Sequence, residues 1–168
     1  MKKVLFSLSI LSILIISSCG SDDGGDTSVD NQVTLGDETF DINNGGFVDF
    51  GDTEGTSQGA FILTDGTVSI AGNTFSVSQA TISISFTLVS VGTGGLQSGT
   101  YPFGDVVSTG STNAFFGAAI SANGASPQVT GGTITLSGSS PNFTITLDLD
   151  LNTDEKLTGG FAGEFSTE

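Results

Sequence analysis

Strict alternation of polar and apolar side chains constrains this chain more than any other feature. Residues 80–88 include Thr81, Ile82, Ser83, Ile84, Ser85, Phe86, Thr87 and Leu88 in unbroken alternation. Residues 133–137 repeat the pattern through Ile134 and Leu136, and residues 143–151 set Phe143, Ile145, Leu147, Leu149 and Leu151 on one side. Successive side chains of a strand point to opposite faces, so each segment reads as a strand with one face on a core and one in water. Sheets of that kind are antiparallel. Further strands are expected at 38–42, 46–50, 60–64, 68–71, 74–77, 99–103, 114–120 and 157–165; only 114–120, with its Phe115, Phe116 and alanines, also reads as a short helical turn. Gly and Asn punctuate the segments, as at 43–46, 92–95 and 137–140. Roughly ten short strands with frequent turns predict an all-β fold, an antiparallel sandwich or a partly closed meander barrel. Gly159, Gly160 and Gly163 would bend the last strand or let another backbone approach it closely.

Within this pattern lies one internal echo. Val33, Leu35, Gly36, Thr39, Phe40 and Ile42 are matched by Val68, Ile70, Gly72, Thr74, Phe75 and Val77. Two copies are fewer than a solenoid needs, so the expectation is two hairpins built with the same turn grammar.

The N-terminal segment has a different character. Lys2 and Lys3 precede an apolar run from Val4 to Ile16, followed by Ser17, Ser18 and Cys19, the order of a secretory signal. The run has only about half to two-thirds of the roughly 20 residues that cross a bilayer. Ile16, Ser17, Ser18 and Cys19 resemble the lipobox of bacterial lipoproteins, and that resemblance implies cleavage before Cys19 and acylation of its thiol, with palmitate among the attached chains. Cys19 is the only cysteine, so no intramolecular disulfide is available, and acylation would remove a lone thiol from an oxidising compartment. Gly20, Ser21, Asp22, Asp23, Gly24, Gly25 and Asp26 resemble the acidic export tag of Bacteroidota lipoproteins, which implies display on the outer face of the outer membrane. The organisation expected is a signal peptide over residues 1–18, an acylated Cys19 with an acidic tether over 19–31, and one all-β domain over 32–168.

Charge excludes whole classes of function. Cleavage before Cys19 leaves Lys156 as the only basic residue against 18 acidic ones, a formal charge of −17. Phosphate backbones and anionic headgroups require Lys and Arg to neutralise them, so nucleic acid is not an expected partner and the membrane is expected to be reached through the lipid on Cys19. Without histidine, Ser-His-Asp and Cys-His catalysis is excluded, and zinc loses its commonest ligands. Two-carboxylate sugar hydrolysis calls for aromatic platforms, yet there is no Trp and Tyr101 is the one Tyr. Calcium takes six to eight oxygens, and two carboxylate clusters are candidate ligand sets. One is Asp148, Asp150, Asn152 and Asp154, with Glu155 beside it; the other is Asp49, Asp52 and Glu54. The first fails the EF-hand pattern, carrying Thr153 and Gly159 where Gly and Glu are needed. Its Asp148 and Asp150, on one side of a strand and roughly 6.8 Å apart, converge only if the strand bends. No other cofactor is expected. The phenylalanine stripes would form a packed core or line a cavity for an apolar ligand.

Three stretches carry a wider resemblance: Thr39 to Ile42 with Gly46 to Gly51; Ser98, Gly99, Thr100, Tyr101, Pro102 and Phe103; and Gly131, Gly132, Thr133, Ile134, Thr135 and Leu136 with the closing hairpin. They resemble the layout of uncharacterised Bacteroidota-type surface lipoproteins with β-sandwich or lipocalin-like domains, over most of the chain after Cys19. The chain departs from that family in its scarcity of Tyr, Lys and Trp. The resemblance implies an outer-membrane, lipid-anchored, outward-facing location. The functional expectation is a non-enzymatic binding or structural module. The alternatives are a lipocalin-like carrier of a small apolar ligand and, from another class, a carboxylate-dependent hydrolase.

Overall fold

A computed structural model describes residues 29–106 and 110–168. Among the described residues there are twelve strands: β1 (Gln32–Leu35), β2 (Glu38–Asp41), β3 (Asn44–Thr53), β4 (Thr56–Thr64), β5 (Thr67–Ala71), β6 (Thr74–Ser78), β7 (Ile82–Val91), β8 (Gly99–Pro102), β9 (Asn113–Ala122), β10 (Val129–Ser139), β11 (Asn142–Leu151) and β12 (Lys156–Ser166). The expected all-β class is what the chain adopts, and the 114–120 segment is strand, not helix. The strand over Gln32–Leu35 was not separately expected.

Eight strands form a nearly closed barrel in the order β8-β10-β11-β12-β3-β4-β7-β9. Most neighbours are antiparallel, as alternation implies. Two seams are not. β12 meets β3 in parallel over only Phe165↔Gly45 and Ser166↔Gly46, and β8 meets β9 through one parallel bridge, Phe103↔Phe115. The second seam arises because β8 descends from the end where β7 finishes, and β9 starts again from that same end. We call that end, where β3 turns into β4, the upper end.

The alternating residues fill the barrel. Ile82, Ile84, Phe86 and Leu88 of β7 face Ile134 and Leu136 of β10 and the apolar series of β11 across one continuous core. Phe61 lies at the centre of an aromatic cluster, with ring centroids 4.7 Å from Phe47, 5.3 Å from Phe143, 5.6 Å from Phe86 and 5.8 Å from Phe165. Phe61, Ile84, Leu88, Phe115, Ile134 and Ile145 have 0% exposure, which residues bordering a water-sized void do not show. An eight-stranded barrel is just wide enough for side chains to fill, and these do.

Outside this ring lie two hairpins. β1–β2 is joined to the main sheet through β1, which pairs with β12 at Val33↔Gly159, Thr34↔Thr158 and Leu35↔Leu157. Gly159 makes this possible: it has φ +115°, and a Cβ there would lie 2.2 Å from the Gln32 carbonyl oxygen. Asn31 closes the junction, its backbone carbonyl accepting the Ile42 N–H and its side-chain oxygen the Ala162 N–H, both at 2.7 Å. β5–β6 pairs only with itself. It lies against the outside of β3, with Val68 and Phe75 over the space that Gly46 leaves beside Ile62.

Candidate functional site: the upper mouth of the barrel

Both carboxylate clusters are placed by the strands that carry them, and neither converges. Asp148 and Asp150 alternate on the outer face of β11, and Lys156 bridges them, its Nζ 2.7 Å from one and 3.2 Å from the other. Hydrogen bonds to Asp148 and then Asp150 raise the lysine above its ordinary pKa. Asn152 is occupied in accepting the Gln128 N–H at 3.0 Å, and Asp154 is a turn residue with φ +62°. The set expected to hold calcium is therefore an ion pair followed by a polar turn. Among the described residues no three acidic groups come together.

Asp49, Asp52 and Glu54 separate in the same way. Asp49 accepts the Gly51 N–H at 2.8 Å across a bulge in β3, and Glu54 forms the β3–β4 turn with φ +53°. Asp52 reaches sideways: one oxygen accepts the Ser57 hydroxyl at 2.5 Å and the other the Gly94 N–H at 2.8 Å. The Ser57 hydrogen bond, then that from Gly94, holds the Asp52 carboxyl below its ordinary range. The three carboxylates do not gather at one point. Two of them nevertheless mark a concavity at one end of the barrel.

That concavity is the upper mouth. The loop of residues 92–98, between β7 and β8, crosses it, and Leu96 descends from the loop onto the core. The absence of a side chain at Gly59 leaves the space: a Cβ there would lie 2.6 Å from Phe47 and 2.9 Å from Leu96. Two clefts adjoin at this end. One of about 280 Å³ is bounded by Phe47, Phe143, Leu96, Asp49 and Ser139. Its neighbour, about 270 Å³, shares Phe47, Asp49 and Ser140 and reaches Glu168. Barrel mouths are common places for ligands because fixed strands surround a variable loop. A larger concavity of about 540 Å³ lies outside β10, β11 and β12, where Asp30, Gln32, Thr34, Thr135 and Thr146 surround the bare Gly159–Gly160 backbone. It has hydroxyls and a carboxylate but no aromatic ring, so the mouth is the better-formed site.

Sequence reasoning passed over the groups that organise the loop. Ser57 and Ser90 are buried, and Ser90 accepts the Gln97 N–H at 3.4 Å. Tyr101 is not a sugar platform: it is fully buried, and its hydroxyl donates to the Gln97 carbonyl. Burial pushes the Tyr101 pKa up, opposed by hydrogen bonding with the Ser90 side chain and the Gln97 backbone. The available signal was Leu96, an apolar residue among loop glycines. Cys19 and the acidic tag lie outside the described residues. Comparison with protein-family models, with curated proteins and with solved structures returned no match in any of the three.

Proposed function

We propose that the chain is a lipoprotein of the outer membrane, anchored through acylated Cys19 and facing the exterior, and that its barrel serves as a non-enzymatic binding or structural module. The observation that carries the anchoring is the sequence Lys2, Lys3, apolar run, Ser17, Ser18, Cys19, followed by seven residues of Gly, Ser and Asp. The nine residues between Cys19 and Val29 keep the barrel within about 35 Å of the lipid even at full extension. The filled interior supports contact at the mouth and outer faces rather than enclosure of a cargo. Carboxylates committed to Lys156, Ser57 and backbone amides support a module without hydrolytic chemistry.

Display is tested on intact cells producing the chain. Antibody against the barrel, or protease added outside, should reach it without permeabilisation. Signal that appears only after the outer membrane is opened would overturn outward display while leaving the anchor to be judged separately.

A further inference from the structure

The loop of residues 92–98 is fastened across the mouth by single hydrogen bonds at identifiable atoms. Asp52 accepts the Gly94 N–H at 2.8 Å, Gly92 donates to the Gly55 carbonyl at 2.8 Å and accepts the Ser57 hydroxyl at 3.3 Å, Ser90 accepts the Gln97 N–H, and the Gln97 carbonyl accepts the hydroxyl of buried Tyr101. No strand pairs with the loop. Gly92, Gly94 and Gly95 all have positive φ, between 94° and 127°, so the loop's path depends on those contacts and not on a ladder. Its one large apolar side chain, Leu96, occupies the space left by Gly59, beside Phe47 in the cleft that Phe143 also lines. Leu96 thus acts as an internal occupant of a socket with an aromatic wall.

We propose that residues 92–98 form a lid, latched by Asp52 and plugged by Leu96, whose opening offers the socket to a neutral apolar group about the size of a leucine side chain or a phenyl ring. The size and polarity follow from Leu96, which shows what the socket accepts. Neutrality follows from the surroundings. Asp49 and Asp52 flank the mouth, and Lys156, the one cationic side chain among the described residues, is held by Asp148 and Asp150. The two carboxylates repel an anion, and the uncharged Leu96 side chain already packed there shows that the socket itself takes an uncharged group. The inference goes beyond membrane anchoring and stands whether or not Cys19 is acylated.

The test uses the full chain and three variants. Asp52 is exposed, and its loss leaves the buried Ser57 hydroxyl a second acceptor in the Gly92 carbonyl at 3.3 Å, so Asp52→Ala should fold. In it, the Gly94 and Gln97 amides should exchange hydrogen about tenfold faster or more, while Ile145 and Leu147 amides keep their wild-type protection. The neutral dye N-phenyl-1-naphthylamine should bind at least about tenfold more tightly than to wild type, as expected when the competent state becomes better populated. Leu96→Ala, which removes the plug and leaves the latch, should also take up the dye, and Glu54→Gln should behave as wild type. Unchanged exchange at Gly94 and Gln97, faster exchange across the whole barrel, or no dye uptake by Leu96→Ala would each overturn the lid.

Discussion

Two hairpins that read almost alike in the sequence have taken opposite places in the molecule. β1–β2 and β5–β6 each turn through two residues, Gly36–Asp37 and Gly72–Asn73, and each turn glycine has positive φ, +59° and +57°. In the first, Val33 and Phe40 are buried at 0% and 7% exposure within the barrel core. In the second, Val68, Ile70, Phe75 and Val77 are only half-buried on the outside of β3. The shared grammar sets the turn and the pairing. What separates the two is the partner each meets: β1 adds to β12 from Val33↔Gly159 to Leu35↔Leu157, whereas β5–β6 forms no ladder with the barrel and lies on the outer face of β3. Their bases differ too. Asn31, a neutral amide, closes the first, while the Asp65 carboxylate closes the second by accepting the Thr81 and Ile82 N–H groups at 2.9 and 3.1 Å.

The sharpest way to break this comparison is Gly159→Ala. A side chain there would strike the Gln32 carbonyl in a backbone conformation that L residues rarely adopt. Chemical denaturation should show a loss of about 3 kcal/mol or more, with the β1–β2 amides losing protection first. Paired truncations come next. Phe40→Ala should cost about 3–5 kcal/mol, as for a core phenylalanine, and Phe75→Ala about 1–2 kcal/mol, in proportion to its half burial. Equal costs would mean that the outer hairpin is as much part of the core as the inner one. Gly36→Ala and Gly72→Ala should each cost about 1 kcal/mol, because the turns are alike even where the burial is not.

The smallest effect concerns pH. Burial pushes the Asp65 pKa up, but hydrogen bonds from Ile82 and Thr81 outweigh it and hold the carboxyl below its ordinary value. A lowered native pKa adds stability that is fully present above the unfolded value, about 3.9 for aspartate, and is lost as pH falls through the native one. Amides of β5–β6 should therefore lose protection as pH falls below about 4, before those of β1–β2. Asp65→Asn should remove that difference, and hydrogen exchange by NMR would show it.

Much of the fold was legible because period alone sets strands: the alternation at 82–88, 134–136 and 143–151 became the walls of the core. The parallel seam between β12 and β3 was not legible, since it rests on two residue pairs brought together by closure of the whole ring. Nor did the sequence separate an ion site from an ion pair. Lys156 lies eight residues from Asp148 in the chain and next to it only because β11 and β12 pair in register. The mouth was half visible: Asp49 and Asp52 stood out as acids, but Ser57, Ser90 and Leu96 acquire meaning only once the loop of residues 92–98 folds over them.

The central claim is that this barrel works at the end of a lipid tether, and Cys19→Ala tests it most directly. Cells producing wild type and variant would be fed an alkyne-tagged palmitate and fractionated. The wild-type chain should carry the label and sediment with the outer membrane, while the variant should be unlabelled and released into the soluble fraction with its barrel intact. A variant that still sediments with the membrane, or a wild-type chain that takes up no label, would contradict the account.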